Sequence, residues 1–423
     1  MFGRSALLAN SVIAEAGWWS SLVGSGAATA KLESSKLDAL GNLYVGGWTD
    51  PLNNGNQVAI LGKYSADGAL LWCKQSSLPS GVLNDGVKGI GIDSGNTIWV
   101  GGNFGTVSRF DTSGNLLSSS RYTLGQEMVL ASNSWGGIFF GTNTSNTYNQ
   151  YMGYLSGGSG SWADGAGFQN GSYTGGPSFD SSSNIFIATR RRVTSSDPFY
   201  SSIAKFNPSG TPLWVVNSSA GTGYRQMQAP AADSSGNIYA IHYSTATGSL
   251  VRSVLKRTSS GAAVYCKALP TTLSYIPDMA VDNLNSCLYM ISGLSGQSNM
   301  AGLTKFSMNG TLLWVRQFSS QTGGTVDFQS VKVDSKGFIY LSGCTATSRT
   351  LAVKLPPNDA GLGTWGDLII ATYTNGVTST TDYTADSFSL SSYSLGGTSL
   401  SVSATSISAT TTNLAPSSPI IIT

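Results

Sequence analysis

One short motif returns seven times along this 423-residue chain, at intervals that only a repeat architecture explains. A strand runs into D-x-x-G-N and then into I-Y-V-x-G. Copies read LDALGNLYVGG from Leu37, IDSGNTIWVGG from Ile92, FDSSSNIFIAT from Phe179, ADSSGNIYAIH from Ala232, VDNLNSCLYMISG from Val281 and VDSKGFIYLSG from Val333. A weaker copy, SNSWGGIFFGT from Ser132, has Asn133 in place of the aspartate. The key positions are Asp38, Asp93, Asn133, Asp180, Asp233, Asp282 and Asp334, separated by 55, 40, 47, 53, 49 and 52 residues. That spacing suits a four-stranded propeller blade.

A second hairpin follows each first one: K-F/Y, a polar turn with Gly, then L-W. Lys63-Tyr64…Gly68…Trp72, Lys205-Phe206…Gly210…Trp214 and Lys305-Phe306…Gly310…Trp314 are the clearest copies. The aromatic pair, eight residues apart across the turn, is expected to face itself on neighbouring strands. Asp, Asn, Ser and Gly supply turn chemistry, through side-chain oxygens and positive φ. Two hairpins per unit give four antiparallel strands, A to D. The expected fold is all-β: a seven-bladed β-propeller of four-stranded antiparallel blades over residues 17–373, after a lead segment 1–16, with a Ser/Thr-rich C-terminal extension over 374–423.

The repeated aspartates resemble a catalytic or metal ring only at first sight. Each falls where a turn needs a side-chain oxygen, and Asn133 replaces one without disturbing the pattern. A calcium loop needs several more carboxylates within a dozen residues. They are read as structural turns.

An open ring leaves two bare strand edges. Trp19 precedes Asp38 by nineteen residues, as Trp314 precedes Asp334 by twenty, so Trp18 and Trp19 read as a D strand that has lost its own A, B and C. A strand over about 17–24 is expected to complete the last blade and close the ring. Thr364–Tyr373 competes for that slot. Residues 374–423 are either a flexible tail or an extended arm that pairs with a neighbouring subunit.

Charged residues make up 10% of the chain and the net charge is +2, far from the basic face that nucleic-acid binding needs. The four cysteines show no paired spacing and read as buried thiols, two of them following Trp72 and Tyr265. No apolar run reaches the length of a membrane helix, and the N-terminal stretch, broken by Asn10, Ser11 and Glu15, is a poor signal peptide.

ADSSGNIYA and IAKFNPSGTPLWV resemble the seven-bladed propeller repeats of bacteria and viruses, written D-S-S-G-N-I-Y-V-x-G and I-x-K-F/Y-x-x-x-G-x-x-x-W, over roughly residues 17–373. In overall style the chain looks like propeller structural and tail proteins of tailed, particularly marine, phages. That resemblance implies a non-enzymatic virion structural protein, a tail or fibre component in an extracellular particle. Its loop face would serve host-surface glycan binding or subunit assembly. The implied partners are other virion proteins, copies of itself and host polysaccharide, with no nucleic acid, membrane insertion, cofactor or metal. The alternatives are a carbohydrate-active propeller, glycosidase- or lyase-like, and a bacterial surface adhesion module. Propellers host many functions, so the fold does not choose among them.

Candidate binding residues come from the longer B–C and D–A connections, where function gathers. Arg190, Arg191 and Arg192 are the densest charge cluster, suited to acidic groups. Tyr148, Tyr151, Tyr173, Tyr200 and Tyr224, with Phe168 and Phe199, offer rings for stacking on sugars. Asp85, Glu127, Asp164, Asp278 and Asp327 lie on D–A connections, several of them just before an inner strand, and Asp85 and Asp327 are candidate carboxylates for the glycosidase alternative, whose pair must lie about 5–10 Å apart. The sialidase box fails at DSGNTIW, one residue too long. His242, the only histidine, has no triad partner in the repeat frame. No catalytic residue is assigned.

Overall fold

The computed structural model describes residues 17–20, 29–50, 57–77, 86–103, 105–122, 127–132, 138–143, 150–156, 159–164, 176–191, 200–219, 223–345, 349–357, 361–365, 367–375, 377, 379–391, 404–406, 410–413 and 420–422. Every regular element among them is a strand.

Chain order opens with β1 (Gly17–Ser20). The first unit then gives β2 (Thr29–Leu37), β3 (Leu43–Asp50), β4 (Val58–Tyr64) and β5 (Leu70–Ser77). The second gives β6 (Val87–Ile92), β7 (Ile98–Gly102), β8 (Thr106–Phe110) and β9 (Leu116–Tyr122). The third is β10 (Glu127–Ser132), β11 (Ile138–Asn143), β12 (Gln150–Ser156) and β13 (Ser159–Asp164). The fourth is β14 (Ser178–Phe179), β15 (Ile185–Arg191), β16 (Tyr200–Phe206) and β17 (Pro212–Ser218). The fifth is β18 (Arg225–Ala232), β19 (Ile238–Ser244), β20 (Val251–Arg257) and β21 (Ala263–Ala268). The sixth is β22 (Met279–Asp282), β23 (Cys287–Leu294), β24 (Gln297–Ser307) and β25 (Leu312–Ser320). The last has three strands of its own, β26 (Val326–Val333), β27 (Ile339–Thr345) and β28 (Arg349–Leu355), and the C-terminal segment follows as β29 (Gly363–Trp365), β30 (Leu368–Thr372), β31 (Thr381–Asp382), β32 (Phe388–Ser391), β33 (Ala404–Ser406), β34 (Thr410–Asn413) and β35 (Ile420–Ile422).

Each unit is one sheet of antiparallel neighbours in chain order, and the arrangement is a propeller of four-stranded blades. Six of these sheets are described with their side chains. The third, β10–β13, is described mainly by its backbone pairing. Apolar residues of adjacent sheets interdigitate between them: Tyr289, Ile291 and Phe318 meet Val331, Ile339 and Leu341 in one such layer. Tyr239 and Ile241 meet Leu288 and Phe306 in another.

The first turns explain the repeated aspartate. Oδ1 of Asp93 accepts the amides of Gly95 and Thr97 at 3.0 and 2.8 Å, and Oδ2 accepts the Trp99 indole N–H at 2.8 Å. Asp38, Asp180, Asp233 and Asp334 hold the amides two and four residues on in the same way. Asp282 accepts Asn285 N at 3.0 Å in a turn of different shape.

The second hairpin departs from expectation in one respect. Trp72 faces Lys63, not Tyr64, and Trp214 faces Lys205, because a bulge between the lysine and the next aromatic shifts the register. Lysine and tryptophan thereby share one side of the sheet and act together. Lys63 Nζ and Trp72 Nε1 both donate to the carbonyl of Thr112 in the next unit, at 3.5 and 2.9 Å. Lys205 and Trp214 both donate to Ser259, at 3.3 and 3.0 Å. Each lysine also lies over an aromatic ring, Tyr44 for Lys63 and Phe186 for Lys205. The turn glycine makes room: a Cβ on Gly114, at φ +80°, would fall 2.8 Å from the Trp72 ring. In these two copies the K…G…W signature is thus a latch between neighbouring blades.

β1 lies antiparallel on β28, with Trp18 opposite Lys354. Trp18 is 1% exposed, and with Lys354 it forms the same latch on Ala66. Thr364–Tyr373 does not take that slot. β30 pairs with β25 on the outer edge of the sixth sheet, and β29 folds back on β30.

The described C-terminal strands pair with this chain's own outer edges. β31 adds to β21, β32 to β17, β33 to β9, β34 to β5 and β35 to β1. The arm therefore travels round the propeller against chain order, from the sixth sheet to the last. The cause is the edge problem: each outermost strand offers a row of unpaired backbone groups that an extended Ser/Thr-rich segment satisfies.

Candidate functional site

The first strand of every sheet faces the propeller axis, and together they line a cavity of about 470 Å³. Its wall is divided. Glu33, Lys36, Lys88, Asp278 and Lys332 bring the charge from the sixth, last, first and second sheets, and Leu130, Pro177, Phe179 and Pro230 are apolar residues of the third to fifth sheets.

On the charged side the acids are occupied. Glu33 pairs with Lys88 at 2.7 Å and Asp278 with Lys332 at 2.6 Å. Asp278 also accepts Ser330 Oγ at 3.1 Å and Val331 N at 3.0 Å. Ser35 donates to Ser330 at 2.9 Å, which links the first and last sheets. Lys36, in the same repeat position as Lys332, donates to the carbonyl of Ser132 at 3.1 Å. Enclosure and the neighbouring Lys332 cation lower its ammonium to about 8.

Among the other candidates, Asp327 is ion-paired to Lys31 at 2.9 Å and accepts from Gln329. Tyr224 is 37% exposed, its hydroxyl donating to Gln226. Tyr200 is half-buried at the start of β16, opposite Arg191, and Arg190 lies opposite Ser201 at the end of β15. Tyr151 lies on β12, Glu127 opens β10 and Asp164 ends β13. Asp85, Asn133, Tyr148, Phe168, Tyr173, Arg192 and Phe199 lie outside the described residues. Among the described candidates, Asp278 is part of the channel wall, and Arg190, Arg191, Tyr151, Tyr200 and Tyr224 are not. No group of three His, Cys, Asp or Glu side chains suited to a metal occurs among the described residues. The cysteines are free thiols, and no described helix is long and apolar enough to cross a membrane.

Sequence reasoning missed one buried polar cluster. Asp386, on the arm before β32, accepts from Arg225 Nε at 2.8 Å and from the Tyr383 hydroxyl at 3.0 Å. His242 Nε2 stands 3.7 Å from the same carboxylate, and its Nδ1 is 3.4 Å from Ser253 Oγ. The order of groups resembles a Ser–His–Asp triad, yet His242 and Ser253 are both fully buried beneath the arm, where no substrate reaches. Burial lowers the imidazole to about 4, so it is neutral and packs edge-on against Phe388. This cluster anchors the arm. Its only advance signal was Asp386 itself, the last charged residue of the chain.

No family model matches the sequence, and no curated protein is similar to it. Solved structures similar to it include YCF48 bound to D1 peptide, at 11% identity over 81% of this chain and 97% of that one, with a TM-score of 0.48. The Dos1 propeller is similar at 10% identity over 78% and 93%, TM-score 0.45. Sqt1 from Chaetomium thermophilum is similar at 9% identity over 78% and 97%, TM-score 0.45.

Proposed function

We propose that the chain is a non-enzymatic structural and binding ring of seven blades, built into a virion as a tail or fibre component. One observation carries the structural half of this reading: β1 and β35 meet as neighbouring strands on the last sheet, in the order β28–β1–β35. A ring clasped at one end and girdled by the other is suited to bearing load in an assembly. The loop face, with Arg190 to Arg192 and Tyr148, Tyr151, Tyr173, Tyr200 and Tyr224, is the surface proposed to meet a host glycan or a neighbouring subunit. Imaging of purified particles tests the reading, with stoichiometric copies of the chain expected at one position. An assay on host polysaccharide is expected to show binding without cleavage. Cleavage lost in Asp327→Asn would replace this reading with a carbohydrate-active enzyme.

A further inference from the structure

The axial cavity has a charge imbalance and a two-sided wall, and each feature selects a property of a ligand. Its lining holds three lysines against two acids, Glu33 and Asp278. Lys88 and Lys332 each have a carboxylate within 2.7 Å. Lys36 has none: among the described residues its amine meets one acceptor, the Ser132 carbonyl, and so keeps two N–H groups to offer. A second cation, Lys332, acts on it across the same wall. An anion placed there would relieve that repulsion and fill those donors. The third to fifth sheets line the cavity with apolar residues, Leu130, Pro177 and Pro230 among them. The volume of about 470 Å³ falls in the range that holds small organic molecules.

We propose that the propeller axis is a binding site for a small organic anion, its carboxylate on Lys36 beside Lys332 and its apolar body against Leu130, Pro177 and Pro230. The two lysines fall at equivalent positions, two residues before Asp38 and Asp334. The other units carry Gly91, Ala131, Ser178, Ala231 and Ala280 there. The charge is therefore a local departure from the repeat, confined to two adjacent units.

Benzoate is the probe, titrated into the full chain by calorimetry and followed by NMR of the lysine Cε resonances. Benzoate is expected to bind at least tenfold more tightly than benzyl alcohol, which lacks the charge, and than inorganic phosphate, which lacks the apolar body. Lys36→Met should weaken benzoate about tenfold or more, equivalent to about 1.4 kcal/mol, while Lys36→Arg retains binding. The Lys36 resonance should titrate at higher pH when benzoate is bound. Equal affinity in Lys36→Met, phosphate matching benzoate, or no shift at Lys36 in the unsubstituted chain would each overturn the proposal. The last measurement decides even where the methionine variant fails to fold.

Discussion

Trp18 and Lys354, from opposite ends of the propeller, donate to one acceptor, the carbonyl oxygen of Ala66, at 3.1 and 3.0 Å. The same arrangement joins the first sheet to the second and the fourth to the fifth, where lysine and tryptophan come from a single hairpin. At the closure the hairpin is cut and its two strands are supplied separately, but the latch geometry is retained.

The closure should therefore be costly to disturb. Trp18→Ala removes a fully buried indole and should lower stability by about 3–5 kcal/mol, read by urea melts. Trp18→Phe, which keeps the ring and loses the donor, should cost about 1 kcal/mol. Trp314 is the internal control, since its Nε1 has no acceptor among the described residues. Trp314→Phe should change stability by well under 1 kcal/mol. Equal losses for Trp18→Phe and Trp314→Phe would refute the latch.

The turn aspartates differ in their tolerance of asparagine, according to what stands six residues on. Asp93 and Asp334 give their second oxygen to Trp99 and Tyr340. Asn at Asp93 sets a second donor against the donor-only indole and should cost about 1–2 kcal/mol, whereas the Tyr340 hydroxyl can accept from Asn at Asp334 and the loss there should be smaller. Where nature placed Asn133, residue 139 is phenylalanine, which has nothing to donate. Asp93→Asn combined with Trp99→Phe should recover most of the loss from the single change in a thermal melt. If the double variant is no better than the single, the pairing argument is wrong.

These two features were legible because the repeat prints them at fixed spacing, so that even the closing strand was visible as a displaced Trp. The latch itself was not legible: the bulge after Lys63 and Lys205 sets which residue faces the tryptophan, and bulges leave no composition signal. The belt was hidden for another reason. Strands of two to five residues on an outer edge, such as Thr381–Asp382, bury few side chains and need no apolar alternation. Lys36 and Lys332 were ordinary strand residues until the ring placed them on one wall. Asp386 and Arg225 lie in different parts of the repeat frame, and no spacing rule joins them.

Asp386 should be the residue on which the arm depends. Asp386→Ala strands the buried Arg225 guanidinium, and removing one partner of such a pair costs about 3–5 kcal/mol. The arm should then become sensitive to limited proteolysis between β30 and β32 while the blades resist. Arg225→Leu with Asp386→Leu should recover at least half of the lost stability. An arm equally protected in Asp386→Ala would show that its backbone pairing alone holds it.

The same cluster sets an acid limit. An unfolded histidine takes up its proton near 6.5, whereas His242, buried against Tyr383 and Phe388 with Arg225 already on the facing Asp386, does so only near 4. Between those values the unfolded chain binds more protons, so stability falls as pH is lowered through this window. Asp386 is held ionised by Arg225, Tyr383 and its other partners, its carboxyl lowered from the ordinary value, and its contribution is lost at still lower pH. The histidine alone should account for a loss of order 2 kcal/mol between pH 7 and pH 4. Urea melts across that range should show the slope in the unsubstituted chain and a flatter one in His242→Phe. Parallel slopes in the two proteins would mean that His242 is already protonated in the folded ring, and that Asp386 holds two cations instead of one.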